Sequence, residues 1–416
     1  MRPTLLLLAA ALVLCAQKPE PADLLKLAAK PGGPDFLKAL EATFTPEQLE
    51  KGEAAISVGP DALFAIKATK TTTAPQLLVD DVPVAAMKKA GAYFIGSAKL
   101  AIYTSHTFHY IVDGKRFGGR LDLSAFGPEA YEQAGVAQGK ISEKFISNSK
   151  LYEGLQSEYW VYTPAQYDNA TPAPVMIWQD GQKYATRNAA NRLLIQLDNL
   201  VHQKRIPVAI HIFIAPGTVG TRAMRSILYD TYTDKYSRFL LEEIMPEVSA
   251  KWKLRTDSYS RAIAGESSGA ICAFNAAWWK PESFSRVYSR IGSYTSIQWK
   301  PGELEGGNVF PFAIRKQPKR NIRVFLSDGS EDLENTHGSW PLQNVQMANS
   351  LKMAEYDFLF KWGSGPHSTA QGNAETPIAL TWLWREYDPA KNSQNYTMDP
   401  AEKTKPYFRI KSLNRD

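Results

Sequence analysis

From about residue 158 onward, the chain alternates apolar strand-like runs with helical stretches, and this alternation restricts the possible folds more than any other feature. The strand-like runs lie at 159–162, 174–178, 207–215, 259–264, 286–288, 322–326 and 356–361. Helical stretches at 191–202, 235–250, 270–279 and 341–354 separate most of them. Strands that alternate with helices form parallel sheets with helices on both faces. The sequence therefore predicts an α/β fold around a mostly parallel sheet.

The N-terminal third has a different pattern. Residues 22–52 carry apolar positions at helical spacing, and short β-type runs follow at 62–68, 76–79, 93–96, 101–103 and 107–112. Asp113-Gly114 is a hairpin signal, and short strands at close spacing are typical of a small β-sandwich. We predict a signal peptide (1–16), a helical segment (17–53), a β-sandwich with linker (54–138), the α/β domain (139–388) and a polar tail (389–416).

The N-terminus resembles a secretory signal. Arg2 precedes an apolar run at 5–14, which is too short to span a bilayer, and no later run reaches the ~20 apolar residues of a membrane helix. Cleavage after Ala16 leads us to expect export to the periplasm or the medium. Lipid anchoring through Cys15 is disfavoured by Leu14 directly before it.

Composition excludes several classes of function. The 48 basic residues exceed the 42 acidic ones by 6 and are scattered, so we expect no nucleic-acid groove. Two cysteines cannot build a disulfide framework or a thiolate metal site, and the six histidines contain no H-E-x-x-H spacing. We expect no metal and no cofactor; oligomeric state is left open.

The strongest chemical motif is Gly265-Glu266-Ser267-Ser268-Gly269, which lies between a predicted strand and a predicted helix. In such a G-x-S-x-G turn the serine projects from a strained strand-to-helix elbow and serves as a nucleophile. Ser267 is therefore the predicted nucleophile. The backbone N–H of Ser268, at the helix N-terminus, is a predicted donor to an oxyanion.

A serine nucleophile needs a histidine base and an acid, which follow it in loops after later strands. His367 lies in the glycine-rich segment 363–368, and His337 is its competitor. Asp332 and Asp328 both lie in the loop after the strand-like run 322–326. We favour Asp332 because it is deeper in the loop, whereas Asp328 next to Gly329 is suited to capping the turn.

The second oxyanion donor is expected in the loop after an earlier strand. There, Gly181 allows close backbone approach, so the N–H of Gly181 or of Gln182 is the candidate, with an ordinary Asp-Gly turn as the alternative. Trp340 and Trp362 flank the acid and histidine loops, where an indole can stack on an aromatic or sugar ring. Packing is the favoured role for both tryptophans.

Several motifs together resemble the enterochelin-esterase-like branch of the esterase D superfamily, which is similar to feruloyl esterases and mycolyltransferases. They are Tyr159-Trp160-Val161-Tyr162-Thr163-Pro164, Gln179-Asp180-Gly181, Arg225-Ser226 with Tyr229-Asp230, the 265–269 elbow, Gly329-Ser330-Glu331-Asp332 and Gly365-Pro366-His367. The resemblance covers about 139–388 and implies an α/β-hydrolase fold with Ser267, Asp332 and His367 as the triad. The preceding β domain resembles the immunoglobulin-like module of such enzymes.

Two positions depart from this family pattern. Leu228 stands where relatives often have a glutamate, which puts any family ion pair of Arg225 in question, and Pro366 replaces a common glycine. Together with the N-terminal signal, the resemblance predicts an exported serine esterase that cleaves a siderophore lactone or a feruloyl or acetyl sugar ester. The alternatives are an acyltransferase with the same triad and a non-catalytic protein that binds glycans or siderophores.

Overall fold

A computed structural model describes residues 20–67, 71, 73–84 and 86–409, without the side chains of 119–121. The predicted signal peptide lies outside these residues. The chain forms two compact units. The first extends to Leu78 and includes Val82–Lys99 and His109–Gly119; the second contains Val79–Asp81, Leu100–Phe108 and everything from Arg120 onward.

The first unit begins with helices α1 (Pro21–Leu27), α2 (Pro34–Thr43) and α3 (Pro46–Lys51). Each has a proline in its first turn, where the missing N–H costs nothing. Thr45 and Gln48 form a reciprocal capping box at the start of α3. Apolar side chains of all three helices, such as Leu24, Phe36 and Leu49, pack with Leu63 of the adjoining sheet.

The β region contains strands β1 (Ala54–Val58), β2 (Asp61–Ile66), β3 (Gln76–Val79), β4 (Val82–Pro83), β5 (Lys88–Ala90), β6 (Tyr93–Lys99), β7 (Thr104–Val112) and β8 (Lys115–Ala125). They form two four-stranded sheets of order β1-β2-β6-β5 and β4-β3-β7-β8. Asp113 and Gly114 have positive φ at the β7–β8 turn, as a type I′ hairpin requires. The strand predicted at 101–103 is wrong, because Tyr103 has φ +67° and β7 begins only after it.

The second unit holds an eleven-stranded sheet. Its strands are β9 (Lys140–Ile141), β10 (Phe145–Asn148), β11 (Leu155–Thr163), β12 (Val175–Gln179), β13 (Ile210–Ile214), β14 (Thr218–Val219), β15 (Arg222–Ala223), β16 (Arg261–Glu266), β17 (Arg286–Arg290), β18 (Arg323–Glu331) and β21 (Asp357–Pro366). Strands β19 (Glu334–Asn335) and β20 (Gly338–Ser339) form a separate hairpin. The order β13-β12-β16-β17-β18-β21 is entirely parallel, which confirms the predicted fold class.

Helices cover both faces of this sheet. They are α4 (Leu193–His202), α5 (Arg225–Tyr229), α6 (Lys235–Phe239), α7 (Met245–Ser249), α8 (Ser268–Trp279), α9 (Phe310–Lys316), α10 (Trp340–Met353), α11 (Ala370–Leu383) and α12 (Pro400–Thr404). A π-helical turn, Leu240–Ile244, joins α6 to α7, and 3₁₀ turns lie at Pro128–Ala130, Gly181–Lys183, Ser258–Ser260 and Gly307–Val309. Alternate strand residues separate into two cores, one with α8 and α10 and the other with α4 and α11.

The structure differs from the predicted element boundaries at the ends of two strands. β18 continues to Glu331 and β21 to Pro366, so the segments predicted as flexible loops are largely strand. The segment predicted as a polar tail contains α12 and the buried side chains of Tyr396 and Met398. Among the described residues, every helix is too short or too polar to cross a membrane.

Candidate active site

The site residues lie at one edge of the sheet, at the carboxyl ends of neighbouring parallel strands. Ser267 follows β16, Ser293 lies shortly after β17, Asp332 follows β18 and His367 follows β21. These strands are adjacent in the order β16-β17-β18-β21. Because the carboxyl ends of parallel strands meet at the same edge, residues far apart in sequence come together there.

Ser267 occupies a strained elbow between β16 and α8. Its backbone has φ +56° and ψ −123°, a conformation that non-glycine residues rarely adopt. The N–H of Ser267 donates to the carbonyl of Arg290 (3.0 Å), and its own carbonyl accepts from the N–H of Ala270 (3.0 Å). The fold therefore holds the serine hydroxyl at the start of α8.

Gly265 makes this elbow possible. A Cβ atom at Gly265 would lie 2.1 Å from the carbonyl oxygen of Gly269, which is backbone and has little freedom to move. At Gly269, a Cβ would be 3.1 Å from the Cβ of Gln179. The two glycines of the motif therefore allow strand and helix to approach closely around the serine.

A hydrogen-bonded chain connects the three residues predicted as a triad. His367 Nε2 is 3.0 Å from Ser267 Oγ, and His367 Nδ1 is 2.5 Å from Asp332 Oδ1. The N–H of Leu333 also donates to Asp332 Oδ1, at 2.5 Å. By contrast, His337 is exposed in the β19–β20 hairpin, where its carbonyl accepts from the Ser296 hydroxyl (2.8 Å).

Asp328 and Asp332 form a buried acidic pair whose pKa values are shifted in opposite directions. Burial raises the pKa of Asp328 well above its usual range, and the neighbouring Asp332 carboxylate adds to that shift. Burial also opposes the charge of Asp332, but hydrogen bonds with His367 and Asp328 outweigh it and lower the pKa of Asp332. Asp332 is therefore the ionised member that faces the histidine, while Asp328 accepts from the N–H of Gly329.

Ser293, which the sequence analysis did not consider, lies beside the serine hydroxyl. Its Oγ is 3.1 Å from Ser267 Oγ, and its N–H donates to the Ser267 carbonyl at 3.2 Å. Trp340 Nε1 donates to Ser293 Oγ at 3.1 Å. The signal that could have identified Ser293 is its place after β17, the strand next to β16 in the parallel sheet.

The two tryptophans singled out from the sequence have different surroundings. Trp340 is buried and its indole meets the ring of His367 edge-on, with centroids 5.8 Å apart. Trp362 is exposed and packs against Phe360 at a centroid distance of 5.7 Å. Trp340 thus contacts the His367 side chain, whereas the described ring contact of Trp362 is to its own strand.

The predicted oxyanion donors are backbone amides at the starts of two helical segments. Ser268 is the first residue of α8, so its N–H has no carbonyl partner within the helix. In the Gly181–Lys183 turn, the N–H groups of Lys183 and Tyr184 bond to carbonyls of the same turn. Gly181 and Gln182, at the start of that turn, have amides without such internal partners.

Arg225 forms an ion pair that the sequence did not reveal. Its Nε and one terminal nitrogen donate to the two carboxylate oxygens of Asp180, at 2.8 and 2.7 Å. The same guanidinium reaches the Glu266 carbonyl at 3.3 Å. Leu228, at the position where a glutamate was expected from the family pattern, is buried. Arg225 thus has an ion pair although position 228 is a leucine, and this pair with Asp180 fixes the turn before Gly181.

Glu266, inside the serine motif, is buried with Arg290. The closest atoms of this pair are 2.7 Å apart, and Arg290 also donates to the Tyr184 hydroxyl. The carbonyl of Arg290 accepts from the N–H of Ser267, so this pair helps to fix the elbow. In the described part of the chain, no group of three or more His, Cys, Asp or Glu side chains is arranged to hold a metal ion.

Comparisons with known proteins find similar esterases. The family model named Esterase matches residues 155–361, about half of the chain. The iron(III) enterobactin esterase of Dickeya dadantii is 26% identical over 253 residues, which are 58% of this chain and 54% of that protein. An endo-1,4-beta-xylanase/feruloyl esterase of Xylanibacter ruminicola is 23% identical over 253 residues, 56% of this chain and 32% of the relative. The chain thus spans about half or less of these relatives.

A solved structure shows the same fold. The enterobactin esterase of Shigella flexneri, crystallised in the presence of enterobactin, superposes with a TM-score of 0.56 at 14% identity. The superposition covers 86% of this chain and 99% of that one. The segment 155–361, which contains the Ser267 elbow and Asp332, is therefore a match to the esterase family.

Proposed function

We propose that the protein is a serine esterase that cleaves carboxylic esters through an acyl-enzyme on Ser267. The observation that carries this proposal is the hydrogen-bonded chain from Asp332 through His367 to Ser267, at 2.5 and 3.0 Å. Asp332 accepts a hydrogen bond from His367 Nδ1–H, and this leaves the unprotonated Nε2 to take the proton of the serine.

In the first half of the reaction, Ser267 Oγ bonds to the ester carbonyl carbon while its proton moves to His367 Nε2. The negative charge on the carbonyl oxygen is held by the amide of Ser268 and by that of Gly181 or Gln182. Collapse breaks the ester bond, and His367 returns the proton to the leaving alcohol. Water then attacks the acyl-enzyme by the same route, which releases the acid and restores the Ser267 hydroxyl.

We further propose that the substrate is a bulky ester of an aromatic or hydroxylated acid, either a siderophore-type lactone or a feruloylated sugar. Similarity to two relatives, an enterobactin esterase and a feruloyl esterase, supports this class. The net charge of +6 adds a weak attraction for anionic substrates. Steady-state kinetics test the proposal: kcat/KM is expected to be higher for feruloyl and catecholate esters than for long-chain lipid esters, and the reverse order would refute it.

Activity on a simple ester tests the catalytic assignment. The wild-type chain is expected to hydrolyse p-nitrophenyl acetate, and Ser267→Ala to lose about 10³-fold or more of kcat, as expected for a member of a triad. Ser296→Ala, which removes a hydroxyl bonded to the His337 carbonyl, is the control and is expected to retain activity. Equal rates for wild type and Ser267→Ala would contradict the proposal.

We also propose that the protein is exported, on the basis of the apolar run at 5–14 that follows Arg2. Cleavage after Ala16 would leave Gln17 as the first residue. N-terminal sequencing of protein recovered from the host tests this: a mature chain that begins near Gln17 is expected, whereas a chain recovered from the cytoplasm with Met1 in place would contradict export.

A further inference from the structure

Three short parts of the N-terminal β region belong to the compact unit that contains Ser267. They are Val79–Asp81, Leu100–Phe108 and the part of β8 from Arg120 onward. Polar side chains from these parts contact the segment 361–370, which carries His367. The contacts lie on both sides of the histidine and come from residues with no place in the hydrogen-bonded chain of the triad.

Asp122 in β8 holds the residue directly after the histidine. Ser368 Oγ donates to Asp122 Oδ2 at 2.7 Å and accepts from the N–H of Ala370 at 3.2 Å. A Cβ atom at Gly365 would lie 3.3 Å from the same carboxylate oxygen, so the end of β21 also packs against Asp122. Burial raises the pKa of Asp122, and its hydrogen bond with Ser368 partly offsets that shift.

Asp80 and His106 form a second contact with the His367 segment, on the N-terminal side of His367. His106 Nδ1 is 2.6 Å from Asp80 Oδ2, and His106 Nε2 is 2.9 Å from the Ala101 carbonyl. Both ring nitrogens face oxygen acceptors, an arrangement that favours the doubly protonated imidazolium beside the Asp80 carboxylate. Burial disfavours this charge, but the hydrogen bonds with Asp80 and Ala101 raise the pKa of His106. Ser364 Oγ donates to Asp80 Oδ1 at 3.4 Å.

Two further hydrogen bonds join the β region to the segment 361–370. Lys361 Nζ donates to the Tyr103 carbonyl at 3.3 Å, and Ser124 Oγ donates to the Ala370 carbonyl at 2.8 Å. His367 itself must hold Nε2 close to Ser267 Oγ, and an error of about 1 Å in such a placement can cost about 10²-fold in rate. The flanking contacts restrict the backbone that sets this placement.

We propose that Asp122, through Ser368, and Asp80, through Ser364, are positioning residues that hold His367 in line with Ser267. The inference rests on the proposed esterase function. Asp122 carries the larger part, because its contact is shorter and lies at the residue next to the histidine. The N-terminal β strands therefore contribute to the geometry of catalysis as well as to the fold.

Kinetics of single variants in the full-length protein test this role. Asp122→Ala and Ser368→Ala are each expected to lower kcat for p-nitrophenyl acetate about 10- to 100-fold, with KM changed less than about twofold. Asp122→Asn keeps an acceptor for the Ser368 hydroxyl and is expected to restore most of kcat. The double variant Asp122→Ala/Ser368→Ala is expected to be no slower than either single variant, because both break the same contact.

Asp399→Ala is the control, since Asp399 also accepts a hydrogen bond, but from the backbone N–H of Ala401 (2.8 Å) at the start of α12. It is expected to retain wild-type kcat. Unchanged kcat in Asp122→Ala and Ser368→Ala, while Ser267→Ala is inactive, would overturn the positioning role and leave the esterase proposal standing. A fall in kcat together with a rise in KM, without rescue by Asp122→Asn, would indicate a merely structural role. That result would also overturn the positioning role.

A readout independent of turnover separates the two proposals. In wild type, the proton on His367 Nδ1, shared with Asp332, is expected to give a low-field NMR signal. Asp122→Ala and Ser368→Ala are expected to broaden or remove this signal, whereas Asp399→Ala leaves it unchanged. A signal identical in all four proteins would refute the positioning role even if no ester were hydrolysed, and absence of hydrolysis by wild type would refute only the esterase proposal.

Discussion

At the scale of single residues, a tryptophan favours one direction for the hydrogen bonds around Ser267. An indole N–H only donates, so Ser293 Oγ accepts from Trp340 and its own proton can point to Ser267 Oγ. Ser267 then points its proton to His367 Nε2. The resulting order, from Trp340 through Ser293 and Ser267 to His367, prepares the serine proton for transfer to the histidine.

Removal of the Ser293 hydroxyl tests this order. Ser293→Ala is expected to lower kcat about 10-fold, because Ser267 Oγ loses a donor that stabilises it as a leaving group when the acyl-enzyme is cleaved. Ser293→Thr keeps the hydroxyl and is expected to be closer to wild type. Rapid-mixing kinetics with p-nitrophenyl acetate measure both steps, and a wild-type rate of acyl-enzyme cleavage in Ser293→Ala would contradict the account.

Asparagine variants of Asp332 and Asp328 form a matched pair. Asp332→Asn is expected to lower kcat about 10³-fold or more, because the amide cannot hold His367 in the required tautomer. Asp328→Asn replaces a carboxyl whose raised pKa favours the neutral form, and it is expected to keep kcat within about tenfold. Loss of activity in Asp328→Asn together with an active Asp332→Asn would reverse the assignment.

The same pair predicts opposite dependences of stability on pH. Folding raises the pKa of Asp328, so this group costs stability as the pH rises above the unfolded value of about 4. Folding lowers the pKa of Asp332, so its contribution is present above that value and is lost as the pH falls through the folded pKa. The unfolding free energy of Asp328→Asn, measured with urea, is expected to decline less above about pH 4 than that of wild type; an equal or steeper decline would be inconsistent with a protonated Asp328.

At the scale of elements, the elbow between β16 and α8 depends on the absence of side chains. Gly265→Ala would place a methyl group 2.1 Å from the Gly269 carbonyl oxygen, and we expect it to destabilise the protein by about 1–3 kcal/mol or to prevent folding. Gly32→Ala is the control, because a Cβ there meets no atom within 4 Å. Thermal unfolding measures both variants; equal stability of Gly265→Ala and wild type would show that the elbow has another geometry.

The sequence was sufficient to predict the main strands of the α/β domain, but not the residues at which they end. Apolar runs identified β12, β16 and β18 because these strands are buried on both faces, which makes them continuous hydrophobic segments. Glycine-rich segments at 329 and 363–365 suggested loops, yet pairing of β18 with β21 extends through them. There glycine reflects close packing: a Cβ at Gly329 would lie 2.1 Å from the Gly365 carbonyl oxygen.

At the scale of the whole molecule, the parallel order of strands explains which site residues could be predicted. Ser267, Asp332 and His367 were found because each follows a recognisable strand. Ser293 and the Asp180–Arg225 pair were missed because their role depends on which strands are neighbours, and strand order is not visible in one sequence. The contacts of Asp122 and Asp80 with the His367 segment were hidden for the same reason, since 246 positions separate Asp122 from Ser368.

The central claim is that Ser267 is a nucleophile activated by His367, and covalent trapping tests it most directly. We expect a fluorophosphonate probe, followed by peptide mass spectrometry, to find the adduct on Ser267 of the wild-type protein. Labelling of His367→Gln under the same conditions is expected to be slower by about 10³-fold or more. An adduct on Ser268 or Ser293, or equal labelling of wild type and His367→Gln, would contradict the account.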